Sequence, residues 1–158
     1  MSGSRQLLRH ALATLAYRGA KAVRDAPGEF AGFSPGPSSR TPAQILAHIG
    51  DLLDWTVYLC RGQHVWHDSS PLPWPEEVAR FHRALAAVDV VLASEAPLGT
   101  PVERIFQGPL ADALTHVGQL TMLRRMFGAP VKGENYAMAE IVAGSTGPDQ
   151  AAPRREFD

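Results

Sequence analysis

In four stretches of this chain the apolar residues recur at intervals of three and four, and loops rich in proline, glycine and serine separate the stretches. This spacing matches the 3.6-residue period of an α-helix, so each stretch predicts a helix with one apolar face. Such a face must be buried against other elements. The pattern therefore predicts an all-α fold, a four-helix bundle. The predicted helices run from about Ser4 to Asp25, from Pro42 to Gly62, from Pro75 to the loop APLGTP, and from Pro109 to Phe127.

The residues at the ends of these stretches favour the same boundaries. Thr41 is a suitable N-cap, and Pro42 fits the first helical position because its missing N–H has no partner to lose there. Gly128 and Pro130 are typical of a helix end. The segment VERIFQG, ahead of the fourth helix, is interpreted as a short extended segment or a turn.

The connections and the tail complete the predicted organisation. The first connection, APGEFAGFSPGPSSR, is long enough for a crossover instead of a simple up-down path. The tail predicts one short helix near Tyr136 to Val142 and coil after Gly144. With 158 residues, we expect a single domain over 1–158, with a helical body at about 5–130 and a tail at about 131–158.

Charge and cysteine content narrow the classes of partner and compartment. The 15 basic and 16 acidic residues give a formal charge of −1 and form no long run, so we expect no nucleic-acid partner. No apolar run approaches the roughly 20 residues that span a bilayer, and the N-terminal stretch lacks the apolar core of a secretion signal. The single cysteine, Cys60, excludes an intrachain disulfide. We therefore expect a cytoplasmic protein without a membrane partner.

Polar side chains share the apolar face of the fourth predicted helix. With a turn of roughly 100° per residue, Asp112 lies about 40° from His116 and Gln119 about 60° from it on the same side. Leu123, a core position, falls between His116 and these two residues. The acid and the imidazole are therefore predicted to point into the bundle.

The second helix shows a similar anomaly. His48 belongs to the apolar stripe, and Asp51 lies one turn beyond it on the adjoining flank. An uncompensated buried charge costs several kcal/mol, and a divalent metal would compensate it by binding imidazole nitrogen and carboxylate oxygen together. Spacing alone leaves other readings open. His48 can be a hydrogen-bonded core residue, while Asp112 can interact with the helix dipole or simply pair with His116.

The second and fourth helices together resemble a known family. TPAQILAHIGDLLDW and DALTHVGQLTMLRRMFGAP are similar to the DinB-like (YfiT-like) superfamily of metal-dependent four-helix bundles, and GENYAMAEIVAG also resembles the tail of some members. The resemblance covers roughly residues 5–130. In that family the second helix supplies one histidine and the fourth a His-x-x-x-His pair, commonly followed by an x-Gly-Gln step.

The resemblance implies a ligand set. His48 matches the histidine of the second helix, and His116, followed by VGQ, matches the last ligand. At the intermediate position this chain departs from the family, since Asp112 replaces histidine. Aspartate can still bind metal, so the set of two histidines and one carboxylate suits a divalent Zn, Ni, Fe or Mn ion. The departure can equally mean weaker affinity, a different metal or a lost site.

The resemblance implies a metal-dependent enzyme acting on small molecules, either a thiol-dependent transferase or isomerase, or a hydrolase. His48, Asp112 and His116 would hold the metal, and Gln119 and, more weakly, Asp51 are candidates for hydrogen bonds behind these ligands. For Asp51, exposure on the surface is the favoured alternative. The implied partners are a small-molecule substrate, such as a low-molecular-weight thiol, and a second copy in a homodimer. The alternatives are a noncatalytic metal- or ligand-binding stress-response protein and a purely structural dimeric bundle.

Overall fold

Four long helices form the body of the protein in a computed structural model that describes residues 2–157. They confirm the predicted all-α class and its four-helix bundle. The long helices are α1 (Gly3–Val23), α2 (Pro42–Cys60), α3 (Trp74–Ala93) and α5 (Ala111–Phe127), and a short helix, α4 (Val102–Ile105), precedes the last of them.

The order of the helices around the bundle differs from their order in the chain. α1 packs against α3 and α5, and α2 also packs against α3 and α5, so α1 and α2 lie at opposite corners. The connection between them, which contains a 3-10 helix at Gly28–Gly32, therefore crosses the end of the bundle. Its Phe30 is fully buried and packs edge-on against Trp74 and Phe127.

The sequence signals at the ends of α2 and α5 act as predicted. The Thr41 hydroxyl accepts a hydrogen bond from the backbone N–H of Gln44, whose side chain accepts one from the N–H of Thr41. This reciprocal capping fixes where α2 begins. α5 ends at Gly128, which adopts a left-handed conformation with φ of 90°. α2 therefore has a defined start, and α5 has a defined end.

The prediction for the segment before α5 is wrong, because VERIFQG is helical. The chain enters α4 at Val102 and continues through a π-helical turn at Phe106–Leu110 into α5. Pro109 lies inside this path. Proline lacks an N–H and its ring clashes with the carbonyl four residues earlier, and a wider turn relieves both problems.

The predicted helix near Tyr136 to Val142 is also wrong. Only a 3-10 turn forms there, at Tyr136–Met138, and the side chains of Met138 and Val142 are 50% and 61% exposed. A short helix is stable only when an apolar face packs against the protein, and these side chains have no such contact.

The tail after α5 nevertheless folds back onto the bundle. Strand β1 (Gly133–Glu134) pairs antiparallel with β2 (Glu156–Phe157). The buried Glu134 carboxylate accepts hydrogen bonds from the Tyr17 hydroxyl at 2.7 Å and from Lys21 Nζ at 2.8 Å. These contacts join the tail to α1.

Among residues 2–157, no helix combines the length and the apolar character needed to cross a bilayer.

Candidate metal centre

His48, Asp112 and His116 meet where α2 packs against α5. Each offers one ligand atom, and these atoms all lie within 4.8 Å of one another. His48 Nε2 is 3.7 Å from Asp112 Oδ2, and the two imidazole rings are 4.7 Å apart between centroids. Residues far apart in sequence are thus brought together by the packing of the two helices.

A backbone hydrogen bond determines which nitrogen of His116 is free. His116 Nδ1 lies 2.8 Å from the carbonyl oxygen of Asp112, one turn earlier in α5. A carbonyl only accepts, so Nδ1 carries the proton and donates. The lone pair is then on Nε2, which leaves that atom available as a ligand. Histidines that bind metals are commonly oriented by such a bond from the other ring nitrogen.

The surroundings favour a neutral imidazole at His48. Burial lowers the pKa of His48, and the nearby His116 and Arg40 lower it further, outweighing the opposite effect of Asp112. Only a deprotonated nitrogen binds a metal ion. At neutral pH, His48 is therefore more fully in the neutral form that binds metal than an exposed histidine would be.

The donor set fits a divalent cation. Two imidazole nitrogens and one carboxylate oxygen suit Zn, Ni, Fe or Mn. Two ligand atoms that are each about 2.1 Å from one ion lie at most about 4.2 Å apart, so the three side chains must contract slightly around it. His48 Nε2 and Asp112 Oδ2, which are 3.7 Å apart, already lie within that limit.

Two clefts open beside the three side chains. One, of about 630 Å³, borders His116; its surface is mainly apolar and also includes the polar side chains of Ser39, Arg40, Thr115 and Gln119. The other, of about 350 Å³, borders His48 and is mainly polar. The ligand side chains are therefore accessible to small molecules.

The expectation of an exposed Asp51 is wrong, because the residue is only 2% exposed. Its carboxylate accepts hydrogen bonds from the backbone N–H and the hydroxyl of Ser69 at 2.9 and 2.7 Å, and from Arg80 Nη2 at 2.6 Å. A Cβ added at Gly50 would lie 2.9 Å from the Arg80 guanidinium carbon, so the glycine leaves room for this side chain to cross α2. Asp51 thus anchors the loop between α2 and α3, and its hydrogen bonds go to this loop and to α3.

The same loop forms one wall of the site. The Trp66 ring packs edge-on against His48, with centroids 5.6 Å apart, and against Trp55 at 5.9 Å. Trp66 remains 47% exposed, so it covers the imidazole on one side without closing the site.

The outcome for the remaining site residues is mixed. Gln119 is exposed and lines the larger cleft beside His116, and its hydrogen bonding to the ligands remains a prediction. Sequence reasoning missed Arg40, which borders the site from a loop, as Trp66 and Ser69 do from another. Arg40 directly precedes the predicted N-cap Thr41, and this was the only signal of its position near α2.

Comparisons of the chain with protein families, with curated proteins and with solved structures find no match. The structure itself supports a four-helix bundle with a His-Asp-His group that can hold a metal ion.

Proposed function

We propose that this protein is a metal-dependent enzyme acting on small molecules, with a divalent cation held by His48, Asp112 and His116. The observation that carries the proposal is the convergence of the three ligand atoms within 4.8 Å. Because residues 2–157 supply three ligands here, positions remain for a substrate or a water molecule. We further propose membership of the DinB-like superfamily, on the residues described above.

The residues around the metal would orient the reactants. When bound, the cation supplies Lewis-acid chemistry and lowers the pKa of a coordinated water or thiol. The hydrogen bond from His116 Nδ1 to the Asp112 carbonyl orients the imidazole and leaves Nε2 free to bind the ion. Trp66 excludes water from one side of His48, and the larger cleft offers space for a small substrate beside His116. The resemblance to the DinB-like superfamily points to thiol-dependent transfer or isomerisation, or to hydrolysis.

Metal titration tests the ligand set. Protein freed of metal is titrated calorimetrically with Zn, Ni, Fe(II) and Mn ions, in the wild type and in His48→Ala and His116→Ala. We expect one ion per chain and a loss of affinity beyond about 100-fold in each variant, since even supporting residues behind ligands cost 10–100-fold. The matched control is His10→Ala, which removes an exposed histidine of α1 and should leave the affinity unchanged. Equal affinity in all four proteins would refute the proposed site.

Activity measurements separate an enzyme from a binding protein. The metal-loaded protein is assayed with thiol conjugates, simple esters and simple amides. We expect turnover that disappears in Asp112→Asn while the circular dichroism spectrum stays unchanged. Binding of one of these compounds without turnover would favour the noncatalytic alternative.

A further inference from the structure

Arg40 lies between the two clefts that open on the metal centre. It is the one residue that lines both of them, the larger beside His116 and the smaller beside His48. It is also close enough for its charge to act on His48, whose pKa it lowers. An exposed loop residue is therefore placed at both entrances to the site.

Within residues 2–157, the Arg40 guanidinium has no ion-pair partner. The neighbouring Asp51, which lines the smaller cleft, is already bound to Arg80 and Ser69. Asp68 also lines the smaller cleft, but no acidic residue lines the larger one. In the larger cleft, the charge of Arg40 is therefore not neutralised by the lining.

The rest of the larger cleft is suited to an apolar group. Its lining includes Ile45, Met122 and Leu123, with Arg40 as the one permanently charged side chain. A divalent ion beside Asp112 would leave a further net positive charge at the inner end. An arginine guanidinium binds a carboxylate or phosphoryl group through two parallel hydrogen bonds.

We propose that the larger cleft binds a small organic anion with an apolar body, and that Arg40 selects it by binding its carboxylate or phosphoryl group. This inference rests on the proposed function, because it assigns a substrate class to the same site. Arg40 is then the residue that distinguishes an acid from its neutral analogue.

Calorimetric titration of the zinc-loaded protein tests the inference. The probes are 3-phenylpropionate, phenyl phosphate and the neutral 3-phenylpropanamide. We expect each anion to bind more tightly than the amide. Arg40→Ala should weaken anion binding by about 10-fold or more, the effect of losing a hydrogen bond to a charged group, and change amide binding less than about twofold. A larger loss for one of the two anions identifies which group the cleft prefers.

Two control variants sharpen the test. Arg40→Lys keeps the charge but loses the planar donor pair, so it should retain only part of the discrimination. Arg61→Ala removes an exposed arginine at the opposite end of α2 and should behave as the wild type. Equal binding of acid and amide by the wild type, or an equal loss of both in Arg40→Ala, overturns the inference.

The zinc affinity of each variant separates this inference from the proposed function. If Arg40→Ala binds zinc normally and loses no anion affinity, the inference fails and the metal site stands. If the wild type binds none of zinc, nickel, iron(II) and manganese, the proposed function fails. The same titrations on metal-free protein then decide whether Arg40 binds anions, and an Arg40→Ala variant with unchanged anion affinity overturns the inference there too.

Discussion

His48 is partly buried and lies near His116 and Arg40, so its protonation reports directly on the site. Its pKa is lowered first by burial and then by His116 and Arg40. In the metal-free protein we expect His48 to titrate below about 6.5, its ordinary value, and Arg40→Ala to raise its pKa. NMR of the imidazole Cε1–H resonances against pH measures both effects.

The same shift affects stability in a defined direction. Because the folded-state pKa is lowered, His48 contributes stability that is present above about pH 6.5 and is lost as pH falls through the folded value.

His82 serves as the internal control for the NMR titration. Burial also lowers its pKa, but Arg40 does not act on it, so Arg40→Ala should leave its titration unchanged. A His48 that titrates at or above its ordinary value would contradict this account.

The residues of the site differ in how far the sequence could predict them. The angular period of a helix placed His48, Asp112 and His116 on the inner faces, but joining them as one ligand set rested on the family resemblance, and the Asp112 side chain is 45% exposed. The same argument put Asp51 on a flank, but it could not show that Arg80 reaches across from α3 to pair with it. Arg40 lies in a loop without periodicity, so nothing in the sequence indicates where its side chain points.

At the scale of elements, α1 packs closely against Phe81 of α3 at Gly19. A Cβ added there would lie 2.5 Å from Phe81 Cζ, and Phe81 is fully buried. Alanine normally stabilises a helix interior by up to about 1 kcal/mol relative to glycine, but overpacking a core costs about 1–3 kcal/mol. We expect Gly19→Ala to lower the free energy of unfolding, measured with urea.

Gly118 provides the matched control for this substitution. It lies inside α5, and a Cβ added there meets nothing within 4 Å. Gly118→Ala should therefore raise the free energy of unfolding by up to about 1 kcal/mol. Adding Phe81→Leu to Gly19→Ala should recover part of the loss. The explanation by overpacking fails if the two alanine variants are equally stable.

The elements were predictable where local rules determine them. The cap at Thr41 and the end of α5 at Gly128 follow from local backbone chemistry. The π-helical turn was not predictable, because proline inside a helical pattern normally marks a start or an end. Here the buried side chains of Ile105 and Leu110 on either side keep the path helical.

At the scale of the whole molecule, one ionic cluster ties the tail to the bundle. The cluster consists of Tyr17, Lys21, Glu134 and Glu156, with Lys21 bonded to both carboxylates at 2.8 Å. Glu134→Gln keeps the shape but removes the buried charge, so we expect it to lower the free energy of unfolding by about 1–3 kcal/mol. Urea unfolding at neutral pH measures this, and an unchanged value would show that the cluster does not stabilise the fold.

The cluster also predicts a loss of stability in alkali. Burial and the bond to Glu134 raise the pKa of Tyr17, and for Lys21 the bonds to both carboxylates outweigh the opposing effect of burial and raise its pKa as well. Because both folded-state values are raised, the stability is present below about pH 10 and is lost as pH rises above it. Tyr17→Phe should make the alkaline loss less steep in urea unfolding, whereas Tyr58→Phe should not. Identical slopes in all three proteins would contradict the prediction.

The path of the tail could not be predicted from its composition. The composition predicts a short helix near Tyr136 to Val142 and coil after Gly144, but it does not indicate that Glu134 is buried against α1. That contact joins residues far apart in the chain, and no local pattern encodes it. The homodimer expected from the sequence likewise stays a prediction, which sedimentation analysis would test.

The π-helical turn at Phe106–Leu110 sets the direction in which the side chains of α5 point. Ile105 and Leu110 are both buried, yet five residues of ordinary α-helix would rotate them about 140° apart. The extra residue in the π-helical turn cancels much of that rotation. Ile105 is thereby aligned with the core, while Asp112 and His116 face α2. With one residue deleted from this turn, Ile105 could not face the core while Asp112 and His116 face α2. The length of this segment therefore determines the site as much as the identity of the proposed metal-binding residues does.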